Sequence, residues 1–262
     1  LDNSAKILFS LGSLRQNFIK ANNVNGYDVE DIPIGAWGMA ILGYTIPLGF
    51  GRGGGERLYY VGGQAEQSHI FANNSIYLFG HVQAASGFTA TEARYTYVES
   101  RGIGHWRVSP YSVLAARFVQ QTSWNWSAFR QLVLDNEAGL RGYPANALAG
   151  DNRFIANLEY RLFPDVQFWI FRLGAAAFWD IGTVWRQGEQ LGNLRMHNAA
   201  GLGIRFLNTK VSGGSAILRV DAAYNFDTRS IGLVFSSDQL FNAFGRHAFR
   251  QPAILGSGID GE

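Results

Sequence analysis

The chain has no cysteine, so it can build no disulfide framework, no thiolate metal site and no thiol nucleophile. Charge is also scarce. Asp, Glu, Lys and Arg make up 16% of the residues, against roughly 25% in soluble domains. A formal net charge of +2 lacks the basic excess that a nucleic-acid partner requires. Long apolar runs are missing too. A membrane-crossing helix needs about 20 consecutive apolar residues, whereas the most apolar stretches, 40–46 and 174–181, are short and carry Gly, Thr or Asp. Neither Met nor a signal peptide stands at Leu1. The expectation is a mature fragment whose amino-terminal part is missing.

Catalytic signatures are absent as well. His69, His81, His105, His197 and His247 lie far apart, without the close His spacing of a metal site. The run Gly51-Arg52-Gly53-Gly54-Gly55 is not followed by the Gly-Lys-Ser/Thr of a phosphate loop and reads as a turn. Ser10 and Ser13 lack a nucleophile-elbow context. The expectation is a non-enzyme with no catalytic residue, no metal and no cofactor.

What remains is apolar and aromatic without being continuous: 47% hydrophobic, 14% aromatic, with 32 glycines. Such a chain can still span a bilayer as a closed barrel, whose backbone polar groups pair between strands. Period-two alternation supports strands. Phe154, Ala156, Leu158, Tyr160 and Leu162 share one face, and Asn157, Glu159 and Arg161 the other. Leu218, Val220, Ala222 and Tyr224 oppose Arg219, Asp221 and Asn225. Ala200, Leu202, Ile204 and Phe206 oppose Gly201, Gly203 and Arg205, while Leu114, Ala116 and Phe118 oppose Arg117. About eleven such segments follow: 6–17, 34–47, 57–69, 75–86, 91–100, 112–123, 154–163, 171–185, 198–208, 216–226 and 230–239.

A soluble sandwich gives the same alternation with its apolar face inward. Two features favour the barrel. The segments approach the roughly 9–11 residues that cross a membrane at a tilt. Their polar faces also carry opposite charges in pairs, Glu159 with Arg161 and Arg219 with Asp221, as a barrel interior would hold. Trp124, Trp126, Trp169, Trp179 and Trp185 then read as interface anchors.

The longest irregular stretch, 125–153, contains Leu140-Arg141-Gly142-Tyr143. Downstream come Asn157-Leu158-Glu159-Tyr160, Ala177-Phe178-Trp179-Asp180-Ile181-Gly182-Thr183-Val184-Trp185, Gly201-Leu202-Gly203-Ile204-Arg205-Phe206, and Leu218-Arg219-Val220-Asp221-Ala222-Ala223-Tyr224. In order and spacing these resemble the carboxy-terminal barrel region of the BamA/TamA superfamily of outer-membrane assembly and secretion proteins, the bacterial surface antigen family. The resemblance covers residues 131–241; residues 1–130 offer only compatible strand patterning. Leu140-Arg141-Gly142-Tyr143 is similar to that family's (Val/Leu)-Arg-Gly-(Phe/Tyr) signature.

The resemblance implies an all-β transmembrane antiparallel β-barrel in the bacterial outer membrane, of which residues 1–241 supply about eleven or twelve of roughly sixteen strands. Residues 242–262 would be a carboxy-terminal extension or tail. It implies that the long loop folds into the lumen, with Arg141 as its cation and Glu159 and Asp180 as its partners on the wall. The pattern agrees, because Trp179 and Ile181 would face lipid and turn Asp180 inward. Arg161, Arg205, Arg219 and Asp221 would be further lumen charges. Phe241, in phase with Ile231, Leu233 and Phe235, would close the last strand as the family's terminal aromatic does.

The implied work is insertion or translocation of proteins at the outer membrane. The expected partners are membrane lipid and lipopolysaccharide, unfolded outer-membrane or secreted clients, and periplasmic or lipoprotein subunits; nucleic acid is not expected. Two rival readings stand beside this one. The barrel could be an anchor or pore for an attached domain, or a structural subunit of an envelope complex. The chain could also be a soluble all-β binding domain.

Overall fold

The computed structural model describes residues 4–22, 24, 29–47, 57–125, 131–189, 193–208, 217–237 and 239–241. The glycine run at 51–55, Trp126, Ala216, His247 and the expected tail at 242–262 lie outside the described residues.

The period-two segments form long strands joined mostly by short turns. They are β1 (Ser4–Asn22), β2 (Val29–Pro47), β3 (Leu58–Phe71), β4 (Ile76–Phe88), β5 (Ala93–Ser109) and β6 (Ser112–Trp124). After them come β7 (Leu132–Leu134), β8 (Leu148–Gly150), β9 (Asn152–Leu162), β10 (Gln167–Phe168), β11 (Phe171–Trp185), β12 (His197–Asn208), β13 (Ile217–Asn225) and β14 (Ser230–Ser237). All eleven segments expected from the sequence are strands. Several run longer than the pattern indicated: β1, β2 and β5 continue past the regular alternation with their backbone groups still paired. The β3–β4 turn shows how local chemistry sets a boundary. Ala72, Asn73 and Asn74 adopt positive φ, and asparagine tolerates that region better than most residues.

The sheet is antiparallel throughout, in the order β1-β2-β3-β4-β5-β6-β9-β11-β12-β13-β14, with β10 pairing only with β11. The short strands β7 and β8 form a separate hairpin inside the loop between β6 and β9. Among the described residues β1 and β14 do not pair, so the sheet is not closed. Strand parity accounts for this. In an up-and-down sheet of eleven strands the first and last run in the same direction, and antiparallel closure requires an even number.

One face of the sheet is apolar and open; the other is polar and covered. Leu11 and Ile231 are each 72% exposed and Leu202 is 68% exposed, and they share the open face with Phe9, Leu218, Leu233 and Phe235. On the covered face Arg141, Arg161, Glu159, Asp180 and Asp221 are fully buried. This is the inverse of a half-solvated soluble sheet. The covered face also holds apolar clusters. One joins Ala21, Val24 and Ile32 at the β1–β2 end to Tyr77, Phe79, Ile103, Val113, Phe163 and Phe241. Another packs Leu140 and Tyr143 of the long loop against Leu134, Val119, Ile155 and Ala199.

The end of the chain differs from the sequence reading. The in-phase pattern predicts that Phe241 closes the last strand on the open face. Instead β14 stops at Ser237, and Phe241 is buried on the covered face. Its carbonyl accepts a hydrogen bond from Arg161 Nη2 at 2.9 Å, and its ring lies 4.7 Å from the same guanidinium. A buried arginine that needs acceptors, and whose cation is attracted to an aromatic face, outweighs continued alternation.

Candidate functional site: a buried arginine-carboxylate network

The loop between β6 and β9 is shaped from within before it reaches the sheet. Asp135 Oδ1 accepts from the backbone N–H groups of Glu137 and Ala138 at 3.0 and 3.1 Å, and its Oδ2 accepts from that of Asn146 at 2.8 Å. The Asp135 carbonyl takes the N–H groups of Gly139 and Leu140. These bonds close the turn, and buried Leu140 anchors it on Ile155 and Val119. Gly142 has φ of +79°, a region that favours glycine, and a Cβ there would lie 3.1 Å from Ala223 Cβ and 3.2 Å from Ala223 O. The Arg-Gly-Tyr sequence is therefore needed twice, for its backbone angle and for a close approach to β13.

Arg141 sits at the tip with each of its three guanidinium nitrogens donating. Nε and Nη2 donate to Asp180 Oδ2 and Oδ1, each at 2.7 Å, in a two-pronged contact. Nη1 donates to Glu159 Oε1 at 2.6 Å and to Asp221 Oδ2 at 3.3 Å. Its backbone N–H donates to Asp180 Oδ2 at 3.2 Å. The guanidinium carbon lies 3.5 Å from the centre of the Phe178 ring. One residue thus ties the loop to β9, β11 and β13. Burial by itself would favour the neutral guanidine. The hydrogen bonds and charge of Asp180, with the charges of Glu159 and Asp221, outweigh it and raise the pKa of Arg141 above the usual arginine value.

Sheet register explains why these carboxylates converge. Asp180 is opposite Asn157, Glu159 is opposite Phe178, and Asp221 is opposite Gly203. All of them point to the covered face, so three strands offer acid groups in adjacent rows. Asn157 Nδ2 donates to Asp180 Oδ1 at 2.8 Å and to the carbonyl of Gly139 at 2.7 Å, fixing wall and loop together. Asn225 Nδ2 donates to the carbonyl of Gly142 at 3.1 Å.

The remaining expected charges join the same network. Arg161 Nε donates to Glu159 Oε2 at 2.7 Å, and Arg205 Nη1 to Asp221 Oδ1 at 2.5 Å. Arg219 Nε stands 3.4 Å from Asp221 Oδ2. The structure therefore brings Arg141, Glu159, Asp180, Arg161, Arg205, Arg219 and Asp221 together, with Leu140 and Gly142 shaping the loop. Sequence reading placed Asp221 among the surrounding charges; in the fold it is a third partner of Arg141. Asn157 and Phe178 were not singled out. The inward parity of Asn157 was a usable signal, whereas the stacking of Phe178 under a loop residue had none.

Tyr143 leaves this network and caps it at the strand ends. Its hydroxyl lies 2.8 Å from Asp227 Oδ2 and 3.2 Å from the carbonyl of Asn198. Asp227, in the β13–β14 turn, also pairs with His197 Nδ1 at 2.5 Å and Arg195 Nη2 at 2.9 Å. Burial alone would push the Asp227 carboxyl up, but the hydrogen bonds from His197, Tyr143 and Arg195 hold it below its ordinary value. Burial, then the bond to Asp227 and its charge, push the Tyr143 hydroxyl up.

Among the described residues no group of three or more His, Cys, Asp or Glu is placed to hold a metal ion. What the network offers chemically is bracing. Charges this deep are stable only when mutually paired, and removing one partner leaves the others uncompensated. No protein-family model matches the chain, and no curated protein matches it.

Proposed function

We propose that this chain is part of an outer-membrane β-barrel of the BamA/TamA type, working in the insertion or translocation of proteins at the bacterial outer membrane. The observation that carries the reading is the inverted sheet braced by a loop-tip arginine. An apolar face left open, as with Leu202, Leu218 and Leu233, suits hydrocarbon. A covered face of paired charges, crossed by a loop whose Arg141 reaches Glu159 and Asp180, suits a barrel interior. The resemblance of Leu140-Arg141-Gly142-Tyr143 and the downstream strands supplies the assignment to assembly and secretion. Closure into an even-stranded barrel would take at least one strand beyond the eleven along the path of the sheet. Clients would be unfolded outer-membrane or secreted chains, and the energy would come from their folding and burial in lipid.

The experiment is reconstitution of the full chain into lipid vesicles, followed by addition of a urea-unfolded outer-membrane barrel. The reading predicts that the client folds several-fold faster than in vesicles holding an unrelated barrel, and that Arg141→Ala removes the acceleration. Ion conductance with no acceleration would favour the pore or anchor reading instead.

A further inference from the structure

Beside Arg141 the described residues of the covered face gather more arginine than carboxylate. Arg205 of β12 and Arg219 of β13 are directly opposite each other, a pairing that repels when nothing lies between the charges. Arg161 projects one row away, and Gly174, Ala176 and Gly203 occupy the intervening positions on the same face. Four guanidinium groups, those of Arg141, Arg161, Arg205 and Arg219, share three carboxylates, those of Glu159, Asp180 and Asp221. Among the described residues of this network one positive charge is in excess.

The acceptors are already committed. Both oxygens of Asp180 accept from Arg141, Glu159 is divided between Arg141 and Arg161, and Asp221 between Arg205 and Arg141. Arg161 Nη1, Arg205 Nη2, and Arg219 Nε and Nη1 are buried and have no hydrogen-bond partner among the described residues. Buried donors of this kind are normally satisfied, and those on a cation call for a charged acceptor. A water would satisfy hydrogen bonds but leave the charge.

We propose that Arg161, Arg205 and Arg219 form a binding site for a phosphate-type oxyanion on the covered face. Three guanidinium forks on one face, Arg205 and Arg219 on neighbouring strands and Arg161 two strands from Arg205, match an anion with several oxygens better than a single-atom ion. Gln239 and Phe241 border the site, through Gln239 Oε1 on Arg205 Nε at 3.1 Å and the Phe241 carbonyl on Arg161. The anion therefore sits beside residues 239–241. The site stands on side chains of the covered face and is independent of the assembly reading.

The test compares wild type with Arg219→Gln. The full chain is refolded into detergent micelles in sodium phosphate or in sodium chloride of equal ionic strength, and the urea midpoint of unfolding is read. Phosphate strengthens burial in any protein, so the informative quantity is the difference between the two proteins. The proposal predicts a larger phosphate-dependent rise for wild type, and at least a tenfold loss of apparent phosphate affinity in the variant. It also predicts that the variant, relieved of excess charge, is at least as stable as wild type in chloride. An equal response of the two proteins to phosphate overturns the site.

A second measurement does not depend on the variant folding. Wild-type protein extracted from cells and dialysed is denatured, and its phosphorus is determined in aqueous and organic extracts. Near-stoichiometric aqueous phosphate identifies a free oxyanion, and phospholipid retained near stoichiometry after exhaustive exchange into phosphorus-free detergent, which strips lipid from the open face, identifies a headgroup. Stoichiometric phosphorus in neither overturns the proposal.

Discussion

Arg141 bears on three strands at once, so its loss should be felt well beyond its loop. Replacing it with Ala leaves Asp180, Glu159 and Asp221 buried without their main partner, at a cost of about 3–5 kcal/mol. Arg101, with a side chain 35% exposed and 3.4 Å from Glu99, provides the comparison. Buried Glu99 keeps Tyr97 and Gln121 as hydrogen-bond partners, so Arg101→Ala should cost less, about 1–2 kcal/mol. Urea unfolding in detergent and the heat-dependent gel shift check both, and equal behaviour of the two variants would remove the role given to Arg141. Arg141→Lys should behave more like Ala than like wild type, because an ammonium cannot reproduce the two-pronged contact with Asp180. A glycine makes the same network testable from below. A Cβ on Gly203 would stand 1.9 Å from Asp221 Oδ1 and 2.5 Å from Arg205 Nη1, where the bridge crosses the strand. Gly203→Ala should therefore destabilise by about 1–3 kcal/mol. Gly80→Ala, whose Cβ would meet nothing within 4 Å, should leave the urea midpoint nearly unchanged.

At the scale of elements, the loop between β6 and β9 is held at two points of different chemistry. The Arg141 end is buried, whereas the Tyr143–Asp227 end lies at the strand ends and should respond to pH. The folded-state pKa of Asp227 is depressed, so its contribution is present above the ordinary carboxylate value, about 3.9, and is lost as pH falls through the lower folded value. The folded-state pKa of Tyr143 is raised, so its contribution is complete below the ordinary tyrosine value, about 10, and is lost as pH rises through the higher folded value. Protease cleavage within the loop should increase on both flanks. Asp227→Asn should remove most of the acid flank, and Tyr143→Phe most of the alkaline one. Cleavage independent of pH in wild type would show that this contact does not hold the loop.

The elements were legible where alternation was uninterrupted. Strands such as β9 and β11 were anticipated within a few residues because their side chains alternate between two unlike environments. The short β7–β8 hairpin was not, since three-residue strands carry too little pattern. The inward turn of Phe241 was not either, because periodicity assigns faces only while the strand lasts. Arg141 with Glu159 and Asp180 could be named from the family resemblance. That Asp221 would complete the set depended on the register linking β11, β12 and β13, which no single strand's sequence specifies.

For the whole molecule, the decisive property is which face meets which surroundings. A sheet that buries Arg161, Glu159 and Asp221 while leaving Leu11, Leu202 and Ile231 open would be costly in water, where apolar patches of this breadth mark an interface. In a bilayer the same arrangement places each face in a suitable medium. Composition pointed this way through scarce charge without a long apolar run. It could not tell a closed barrel from an open sheet, because closure depends on strand count and on pairing between distant edges.

The most direct test of the proposal that the open face meets lipid uses the absence of cysteine, which makes single labels unambiguous. Leu202→Cys, Leu218→Cys and Leu233→Cys are each given a nitroxide label, and the full chain is refolded into lipid vesicles. Spin relaxation is then measured with oxygen, which concentrates in hydrocarbon, and with a water-soluble nickel chelate. The account predicts strong relaxation by oxygen and little by the chelate at all three positions. Strong relaxation by the chelate at all three would place the open face in water and contradict it.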